Sequence, residues 1–315
     1  MASVLAFDIE TIPDIAGLRV LRGASPSLTD AEVYAAEIAE RKERGKSDFM
    51  PLHLQRVLVV SCVYRDSRGA LHVRSFVDDE AGGRSHEGEI IQAFFDRIDQ
   101  RRPQLVSWNG GGFDLPVLQQ RGLRHGVVAG KYWDMGDDDR EYRYNNYIGR
   151  YHLRHIDLMD LLAMYSARGN APLDAMAKLC GFPGKLGMDG SQVYGAYLAG
   201  QTDEIRRYCE TDVMNTYLLW LRFEKMRARL DADGYAREIA LARATVATFD
   251  EPHWREYLAA WPEEAAPAAP LPVEPAVLSE EPPLADPEPL ATTAVIETTT
   301  VETTQIYIES SSIRA

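Results

Sequence analysis

Two acidic residues close the first apolar segment of the chain. Residues 4–7 read Val-Leu-Ala-Phe, and Asp8 and Glu10 follow with one residue between them. Because a β-strand alternates its side chains between its two faces, we expect Asp8 and Glu10 on one side and Phe7 and Ile9 on the other. Two neighbouring carboxylates repel each other, which raises the pKa of at least one unless a cation lies between them. The pattern indicates a divalent metal site on a rigid strand, and its alternative is a strand end whose acids face water.

Two later segments supply further acidic candidates. Asp114 follows a predicted strand over 105–108 and a glycine-rich turn over 109–112, so it is expected at the carboxyl edge of a sheet, where open α/β folds place their sites. Taken alone, Asp114 also suits the N-cap of a helix. Tyr208 and Asp212 are four residues apart in a long predicted helix and therefore share one face of it. An Asp on a helix face that packs on a core is costly unless something neutralises it, which a metal would do.

These three segments, in this order, resemble a known set of motifs. Phe-Asp-Ile-Glu-Thr, Asn-x-x-x-Phe-Asp and Tyr-x-x-x-Asp resemble the three exonuclease motifs of the DEDD superfamily in its tyrosine variant. Within it, the chain is similar to the predicted 3′-5′ exonucleases related to the proofreading domain of B-family DNA polymerases. Residues 155–160, 183–185 and 190–193 extend the similarity, which covers residues 3 to 225.

The resemblance implies a fold, a cofactor and a set of active-site residues. The fold is ribonuclease H-like, and two Mg²⁺ or Mn²⁺ ions are bound by the carboxylates of Asp8, Glu10, Asp114 and Asp212. Two such ions would activate a water and stabilise the departing 3′ oxygen, and oxygen ligands suit hard cations. Tyr208 matches the tyrosine of the third motif. A phenol with an ordinary pKa of about 10 is a poor base at pH 7, so we expect Tyr208 to position the water by a hydrogen bond.

Five residues beside the motifs are candidate substrate contacts. Ile12 is expected to act as an apolar wedge against the terminal base or, alternatively, as a loop anchor, and Ile9 as a contact or as core. Asn109 either binds the substrate or closes its own turn. Thr11 and Phe113 complete the set.

The element pattern predicts an α/β fold with a mixed sheet flanked by helices. A hairpin is expected over 57–77, a helix over 88–100, a strand over 105–108 and a helix over 115–123. Further helical segments are expected over 29–45, 153–162, 172–179 and 203–230, the last with Thr202 as its N-cap. The predicted domains are an exonuclease domain over 1–230 with a helical insertion at about 16–55, a helical extension over 231–261, and a tail over 262–315.

The tail accounts for most of the acidic character of the chain. The net charge is −14, but ten acids and a single arginine fall after residue 261, which leaves −5 for the rest. With nine of the 17 prolines and many Ala and Thr residues, the tail is expected to be disordered and to offer a site for a protein partner. No apolar run suits a membrane span and no signal peptide is recognisable, so we expect a cytoplasmic protein without membrane contact.

Several weaker signals leave two interpretations open. Asp134, Asp137, Asp138 and Asp139 lack the spacing of a helix-loop-helix calcium site and suit a solvated loop. The tyrosines of 142–147 suit base stacking or ordinary packing. His155 and Asp157 are a supporting pair or a satisfied core histidine. The three cysteines are expected to be reduced packing residues. Candidate phosphate contacts are Arg121, Arg124, Lys131, Arg150 and Arg154.

The expected activity is hydrolysis of single-stranded nucleic acid from its 3′ end, with release of nucleoside 5′-monophosphates. The similarity to a proofreading domain favours DNA over RNA and a role in DNA repair. The alternatives are an exoribonuclease and a catalytically silent relative that only binds nucleic acid. A phosphatase of the haloacid dehalogenase type is disfavoured, because Thr11 follows Glu10 directly and Tyr208 would have no role.

Overall fold

The computed structural model describes residues 3–80 and 84–262. A five-stranded sheet forms its centre, in the spatial order β3-β2-β1-β4-β5. The strands are β1 (Val4–Pro13), β2 (Gln55–Arg65), β3 (Leu71–Val77), β4 (Gln104–Ser107) and β5 (His155–Asp157). The first three strands pair antiparallel, whereas β4 and β5 run parallel to β1. The sheet confirms the mixed α/β class and has the arrangement expected of a ribonuclease H-like fold.

The strand β1 is buried on both faces, and its side chains alternate between two cores. Val4 and Ala6 pack in one core with residues of a long helix, while Leu5, Phe7 and Ile9 pack in the other. The predicted alternation around the first acidic pair is therefore confirmed. Since Asp8 and Glu10 continue the even-numbered series, they lie on the face of the sheet that the long helix covers.

A bulge interrupts the pairing of β1 with β2 just beyond the acidic pair. Glu10 is opposite Val59, but the next residue, Thr11, is opposite Val57, so Leu58 is the extra residue. The carbonyl of Leu58 accepts a hydrogen bond of 2.8 Å from the backbone N–H of Asp78. An extra residue increases the local twist and redirects the side chains that follow it. The carboxyl-terminal part of β1 is thereby turned relative to the rest of the sheet.

Ten α-helices surround the sheet in the described part of the chain. They are α1 (Ile15–Arg22), α2 (Asp30–Glu43), α3 (Glu87–Arg101), α4 (Asp114–His125), α5 (Leu158–Leu162), α6 (Leu173–Leu179), α7 (Val193–Leu198), α8 (Thr202–Met226), α9 (Ala232–Val246) and α10 (Pro252–Ala260). The long helix is α8, whose middle is buried on all sides. None of the described helices combines the length and apolar character that crossing a bilayer requires.

The structure corrects three local predictions. The segment 153–162 is not one helix, because His155–Asp157 forms the edge strand β5 before α5 begins. Thr202 is the first residue of α8 and not its cap, which is Gln201 without a side-chain hydrogen bond. The insertion contains an additional helix, α1, that starts directly after β1. The predicted disorder of the tail concerns residues outside the described ranges.

Candidate active site

The first two acids lie against the start of α8. The side chains of Asp8 and Glu10 offer oxygen atoms that lie, together with the sulfur of Cys209, within 4.8 Å of one another. Cys209 is buried, and its Sγ lies 3.5 Å from Oδ2 of Asp8. Burial, and then the charge of Asp8, raises the pKa of the Cys209 thiol, so it remains protonated and can donate a weak hydrogen bond.

Asp114 reaches the same region from α4. It is the first residue of that helix rather than its N-cap, which is Phe113, and its Oδ1 accepts a hydrogen bond of 3.1 Å from the backbone N–H of Ile9. The bond ties the second motif directly to the strand residue between the two acids of the first.

The turn before Asp114 is held in place by a carboxylate from the neighbouring strand. Asp157 accepts hydrogen bonds of 2.9 Å from the backbone N–H groups of Asn109 and Gly111. Asn109 has a φ of 67°, a left-handed conformation that Asn adopts more readily than most residues. A Cβ at Gly110 would clash with the Cβ and Oγ of the buried Ser107, so the turn needs glycine there.

Tyr208 and Asp212 point together from α8, and both contact Lys185. The Nζ of Lys185 lies 2.9 Å from Oδ2 of Asp212 and donates a hydrogen bond to the Tyr208 hydroxyl. The ammonium group also lies 4.9 Å from the centre of the Tyr208 ring. The positive charge of Lys185 therefore lies directly beside the third motif.

The backbone beside Lys185 is fixed by a residue that is buried in α8. Gly184 donates to Oδ1 of Asn215 at 3.2 Å, and its carbonyl accepts from Nδ2 at 2.8 Å. Gly184 has a φ of 73°, and a Cβ there would meet Oδ1 of Asp174 at 2.5 Å, so the position requires glycine. The backbone N–H of Lys185 donates to the same carboxylate oxygen of Asp174 at 2.8 Å. These contacts hold Lys185 next to Asp212.

The pKa values of all four acids of the site are raised. Burial, and then the charges of Asp114 and Asp212, raises the pKa of Asp8 well above its usual range. Burial, followed by the charges of Asp8 and Asp212, does the same to Glu10. Burial raises the pKa of Asp114 to about 7 and also raises that of Asp212, although Lys185 opposes the change there. A cation bound among these groups would relieve the repulsion.

The donor atoms of the site fit a hard divalent cation. Oδ2 of Asp212 is paired with Lys185, whereas its buried Oδ1 has no hydrogen-bond partner among the described residues. A buried carboxylate oxygen without a partner is costly, and metal coordination removes that cost. The nearby sulfur of Cys209 is a soft donor that Mg²⁺ and Mn²⁺ do not favour, which leaves the carboxylates as the matching ligands.

The candidate substrate contacts are divided between core and surface. Ile9 and Ile12 are 4% and 1% exposed, so neither side chain is open to a nucleotide. This supports the core interpretation for Ile9, whereas Ile12 is a buried residue of β1 and not a loop anchor. Thr11 donates to Oε1 of Gln55 at 2.9 Å. Asn109 closes its turn by accepting from Gly112 and Phe113 through its carbonyl, and its own side chain is exposed. Phe113 is half-buried and contacts the ring of Phe49.

The weaker sequence signals are mostly accounted for by packing. Tyr142 and Tyr147 are buried, and the guanidinium of Arg154 lies 3.9 Å from the centre of the Tyr142 ring, so these aromatics form core. Of the three tyrosines in 142–147, only Tyr144 is largely exposed. Lys131 pairs with Asp134 and Asp138. Asp138 is exposed, as predicted for a solvated loop, but Asp134 is buried and accepts from the backbone N–H of Gly136, so the prediction is wrong for Asp134.

The remaining candidates also have partners within the protein. His155 accepts from or donates to the Ser107 hydroxyl at 2.7 Å, as a satisfied histidine would, and Arg150 pairs with Asp160. Arg121 is 1% exposed and is removed from the candidate phosphate contacts. Cys62 and Cys209 are buried, Cys180 is half-buried, and all three are free thiols.

Lys185 is the residue of the site that the sequence interpretation did not single out. It lies 23 residues before Tyr208 in the chain, in a loop without a regular period that would place it. The one available signal was Pro183-Gly184-Lys185 within the family resemblance. Its glycine, Gly184, indicates a backbone conformation that most other residues avoid.

Comparison with known proteins places the chain in a family. A family model described as "Predicted 3'-5' exonuclease related to the exonuclease domain of PolB" matches residues 47–261, about two thirds of the chain. The match contains Asp114, Tyr208 and Asp212, whereas Asp8 and Glu10 precede it. No curated protein gives a significant match.

Two solved structures show a distant likeness. One is a complex of ExoI with SSB-Ct, which is 14% identical with a TM-score of 0.29, over 73% of this chain and 46% of that one. The other is E. coli exonuclease I in complex with a 5cy-dT13 oligonucleotide, which is 15% identical with a TM-score of 0.27, over 74% of this chain and 46% of that one. The chain thus spans less than half the length of either. Likeness at this level is too distant to inform substrate or mechanism, whereas the family match covers most of the sheet and α8: the chain belongs to the predicted 3′-5′ exonucleases related to the exonuclease domain of PolB.

Proposed function

We propose that residues 1–230 form a metal-dependent exonuclease that removes nucleotides from the 3′ end of single-stranded nucleic acid, with DNA as the preferred substrate. The products are nucleoside 5′-monophosphates. In this proposal residues 231–261 are a helical extension of the domain. The observation that carries it is that Asp8, Glu10, Asp114 and Asp212 come together from three separate segments, close enough that the charges of Asp114 and Asp212 raise the pKa of Asp8 and of Glu10.

The four carboxylates would hold two Mg²⁺ or Mn²⁺ ions. When bound, such ions supply an activated water near neutral pH and stabilise negative charge on the leaving oxygen. The family membership supports the class of reaction, and the free oxygen Oδ1 of Asp212 supports the presence of a cation.

The chain's own polar groups would position the reactants. Burial, followed by the charge of Asp212, raises the pKa of Tyr208, so its hydroxyl stays protonated and acts by hydrogen bonding rather than as a base. Lys185 holds both Tyr208 and Asp212, which fixes the hydroxyl that orients the attacking water. Lys185 also carries a positive charge beside the site, where it would attract a phosphate.

A cleavage assay with defined 3′ ends tests the proposal. A single-stranded DNA oligonucleotide labelled at its 5′ end is incubated with Mg²⁺ or Mn²⁺, and the products are separated by length. The wild-type protein should shorten the strand stepwise from the 3′ end. Asp8→Ala should reduce the rate by about 100-fold or more, since metal stabilisation of the transition state is worth several kcal/mol.

The matched control is Asp137→Ala, which removes an exposed acid from the loop after α4 and should leave the rate unchanged. The same sequence as RNA measures the substrate preference, and faster cleavage of RNA would replace the DNA assignment with an exoribonuclease. Binding of the strand without any release, by a folded wild-type protein, would indicate a catalytically silent relative. Equal rates in wild type and Asp8→Ala would remove Asp8 from the site.

A further inference from the structure

A cleft rich in arginine lies away from the four acids. It has a volume of about 600 Å³ and is bounded by β2, β3, the last turns of α3 and the end of α9. Leu5 lines it from β1, three residues before Asp8, so about 10 Å of strand separate the two positions. The side chain of Leu5 also packs on the face of the sheet opposite to that of Asp8. The cleft is therefore separate from the candidate active site.

The charged residues of the cleft are mostly basic. Four arginines line it, which we call the arginine cluster: Arg68, Arg74, Arg97 and Arg101. All four are exposed. Among the described residues that line the cleft, Asp66 is the single acid. The cluster is thus a local excess of positive charge in a chain whose residues 1–261 carry a net charge of −5.

Strand register and helix spacing bring three of these arginines together. Arg74 in β3 is opposite Cys62 in β2. Burial raises the pKa of the Cys62 thiol to about 12, and the charge of Arg97 opposes that change, so Arg97 lies near the same thiol. Arg101 comes four residues after Arg97 in α3 and therefore lies on the same side of the helix. Arg74, Arg97 and Arg101 thus surround the same part of the cleft.

The positive charge of the cluster is not neutralised by the described residues. None of its four guanidinium groups has a carboxylate partner within 4.0 Å in that part of the chain. The nearby Arg65, by contrast, pairs with Glu238 at 2.6 Å. The acid of the cleft stabilises the hairpin turn, because Oδ1 of Asp66 accepts from the backbone N–H groups of Arg68 and Ala70 at 2.9 Å. Since like charges repel each other, a bound anion would stabilise the cluster.

Aromatic rings lie among the arginines. The ring of Tyr64 stacks on that of His72, with their centres 6.3 Å apart and their planes inclined at 21°, and both residues line the cleft. Guanidinium groups match the oxygens of a phosphate with two parallel hydrogen bonds. Arginines beside aromatic side chains are the combination that binds single-stranded nucleic acid, through its phosphates and its bases. These features favour a nucleic-acid strand over an acidic peptide, which has no bases to stack.

We propose that the arginine cluster is a second binding site for the phosphate backbone of the nucleic-acid strand, remote from the four acids. This inference rests on the proposed exonuclease function and adds a contact on the 5′ side of the reacting end. A strand held there stays attached when its shortened 3′ end leaves the active site, which raises the effective concentration of that end. The cluster thereby favours the removal of several nucleotides in one encounter.

The experiment measures binding over a range of salt concentrations. A single-stranded DNA labelled at its 5′ end is titrated with protein and Ca²⁺, and Kd is obtained from anisotropy between about 50 and 200 mM salt. The wild-type protein is compared with a variant that combines Arg74→Ala, Arg97→Ala and Arg101→Ala. In the variant, the slope of log Kd against log salt concentration should be smaller by about 2, because each phosphate contact of a single strand contributes about 0.7. Lysine at the same three positions keeps the charge and should retain most of the slope.

The matched control removes the same number of positive charges elsewhere. It combines Arg44→Ala, Arg84→Ala and Arg255→Ala. The side chains of these arginines are 60%, 70% and 61% exposed, and they pair with Glu40, Glu89 and Asp250. The slope of the control should stay near that of the wild-type protein. Thermal unfolding of each variant checks that the fold is retained.

Strand length separates a second site from an effect at the reacting end. Release of nucleotides is measured with Mg²⁺ on a strand of a few nucleotides and on one of several tens. The alanine variant of the cluster should raise KM more on the long strand than on the short one. An equal rise on both strands would mean that the arginines act at the 3′ end, which would overturn the second site.

Two further results would overturn the inference. One is an unchanged salt slope in the alanine variant of the cluster, and the other is an equal change in the control, which would reflect net charge alone. A wild-type protein that binds DNA with the predicted dependence on the cluster but releases no nucleotide would contradict the exonuclease function and leave the second binding site in place.

Discussion

At the scale of single residues, the site combines four acids with one permanent cation. Lys185 pairs with one oxygen of Asp212 and leaves the other oxygen buried and free. Lys185 only partly opposes the effect of burial on Asp212, because the pKa of Asp212 remains raised. The arrangement separates two tasks: one oxygen of Asp212 fixes the side chain, and the other remains for a ligand.

The hydroxyl of Tyr208 provides a test of the positioning role. Tyr208→Phe keeps the ring, which is buried next to Cys209, and removes only the group that Lys185 contacts. We expect kcat to fall about 100-fold, since the loss of a group that positions a reactant can cost about that factor. Metal affinity should be unchanged, because the four carboxylates remain.

The measurement is a Mn²⁺ titration of cleavage rate and of protein stability for both forms. A weaker response to Mn²⁺ in Tyr208→Phe would place the tyrosine among the groups that hold the ion. Wild-type turnover would remove it from the mechanism.

At the scale of elements, α4 is anchored through a buried arginine. Arg121 donates to both oxygens of Glu87, at 2.7 and 2.6 Å, and to Oδ2 of Asp14 at 2.6 Å. Glu87 starts α3, and Asp14 caps α1. The guanidinium thus joins three helices, about two turns along α4 from Asp114.

Replacing Arg121 should lower the free energy of unfolding more than replacing its exposed neighbour Arg124. Arg121→Ala leaves two buried carboxylates without their main partner, and we expect a loss of about 3 to 5 kcal/mol in the free energy of unfolding. Arg124 also pairs with Asp14 but is 40% exposed, so Arg124→Ala should cost less than about 1 kcal/mol. Urea unfolding of both variants measures the difference, and similar midpoints would show that the buried network contributes little.

The sequence predicted those elements in which apolar and polar residues follow the spacing of a strand or a helix. Alternation placed Asp8 and Glu10 on one face of β1, and helical spacing placed Tyr208 with Asp212 on α8. The strand β5 was not predicted, because the three residues His155–Asp157 are too few to show the alternation of a strand. They form a strand only through their pairing with β4. Lys185 was not predicted for a related reason, since it lies in a loop whose position is set by a distant partner, Asn215, through Gly184.

At the scale of the whole molecule, a histidine that joins the two parallel strands makes stability depend on pH. His155 in β5 bonds to Ser107 in β4, and burial lowers the pKa of His155 to about 4. The unfolded chain binds the proton near pH 6.5, so between these values the unfolded state carries more protons than the folded state. The free energy of unfolding should therefore fall as the pH drops from about 6.5 towards 4.

We expect this histidine to contribute a loss of about 3 kcal/mol across that window. The measurement is chemical unfolding at a series of pH values for the wild-type protein and for His155→Gln, which cannot take up the proton. The variant should show a shallower decline. Parallel curves for the two proteins would mean that other groups cause the acid sensitivity.

The bulge at Leu58 has a consequence for how much this chain can change in length. Deleting Leu58 would make the pairing of β2 with β1 continuous with the same partners, and the extra twist that the bulge gives to the end of β1 would be lost. Leu58 is also fully buried and packs in one cluster with Ile12 and Tyr208, so its deletion would leave a gap beside the third motif. Natural variants that preserve the site should therefore tolerate insertions in the hairpin turn after Arg65 far better than a single deletion between residues 55 and 59.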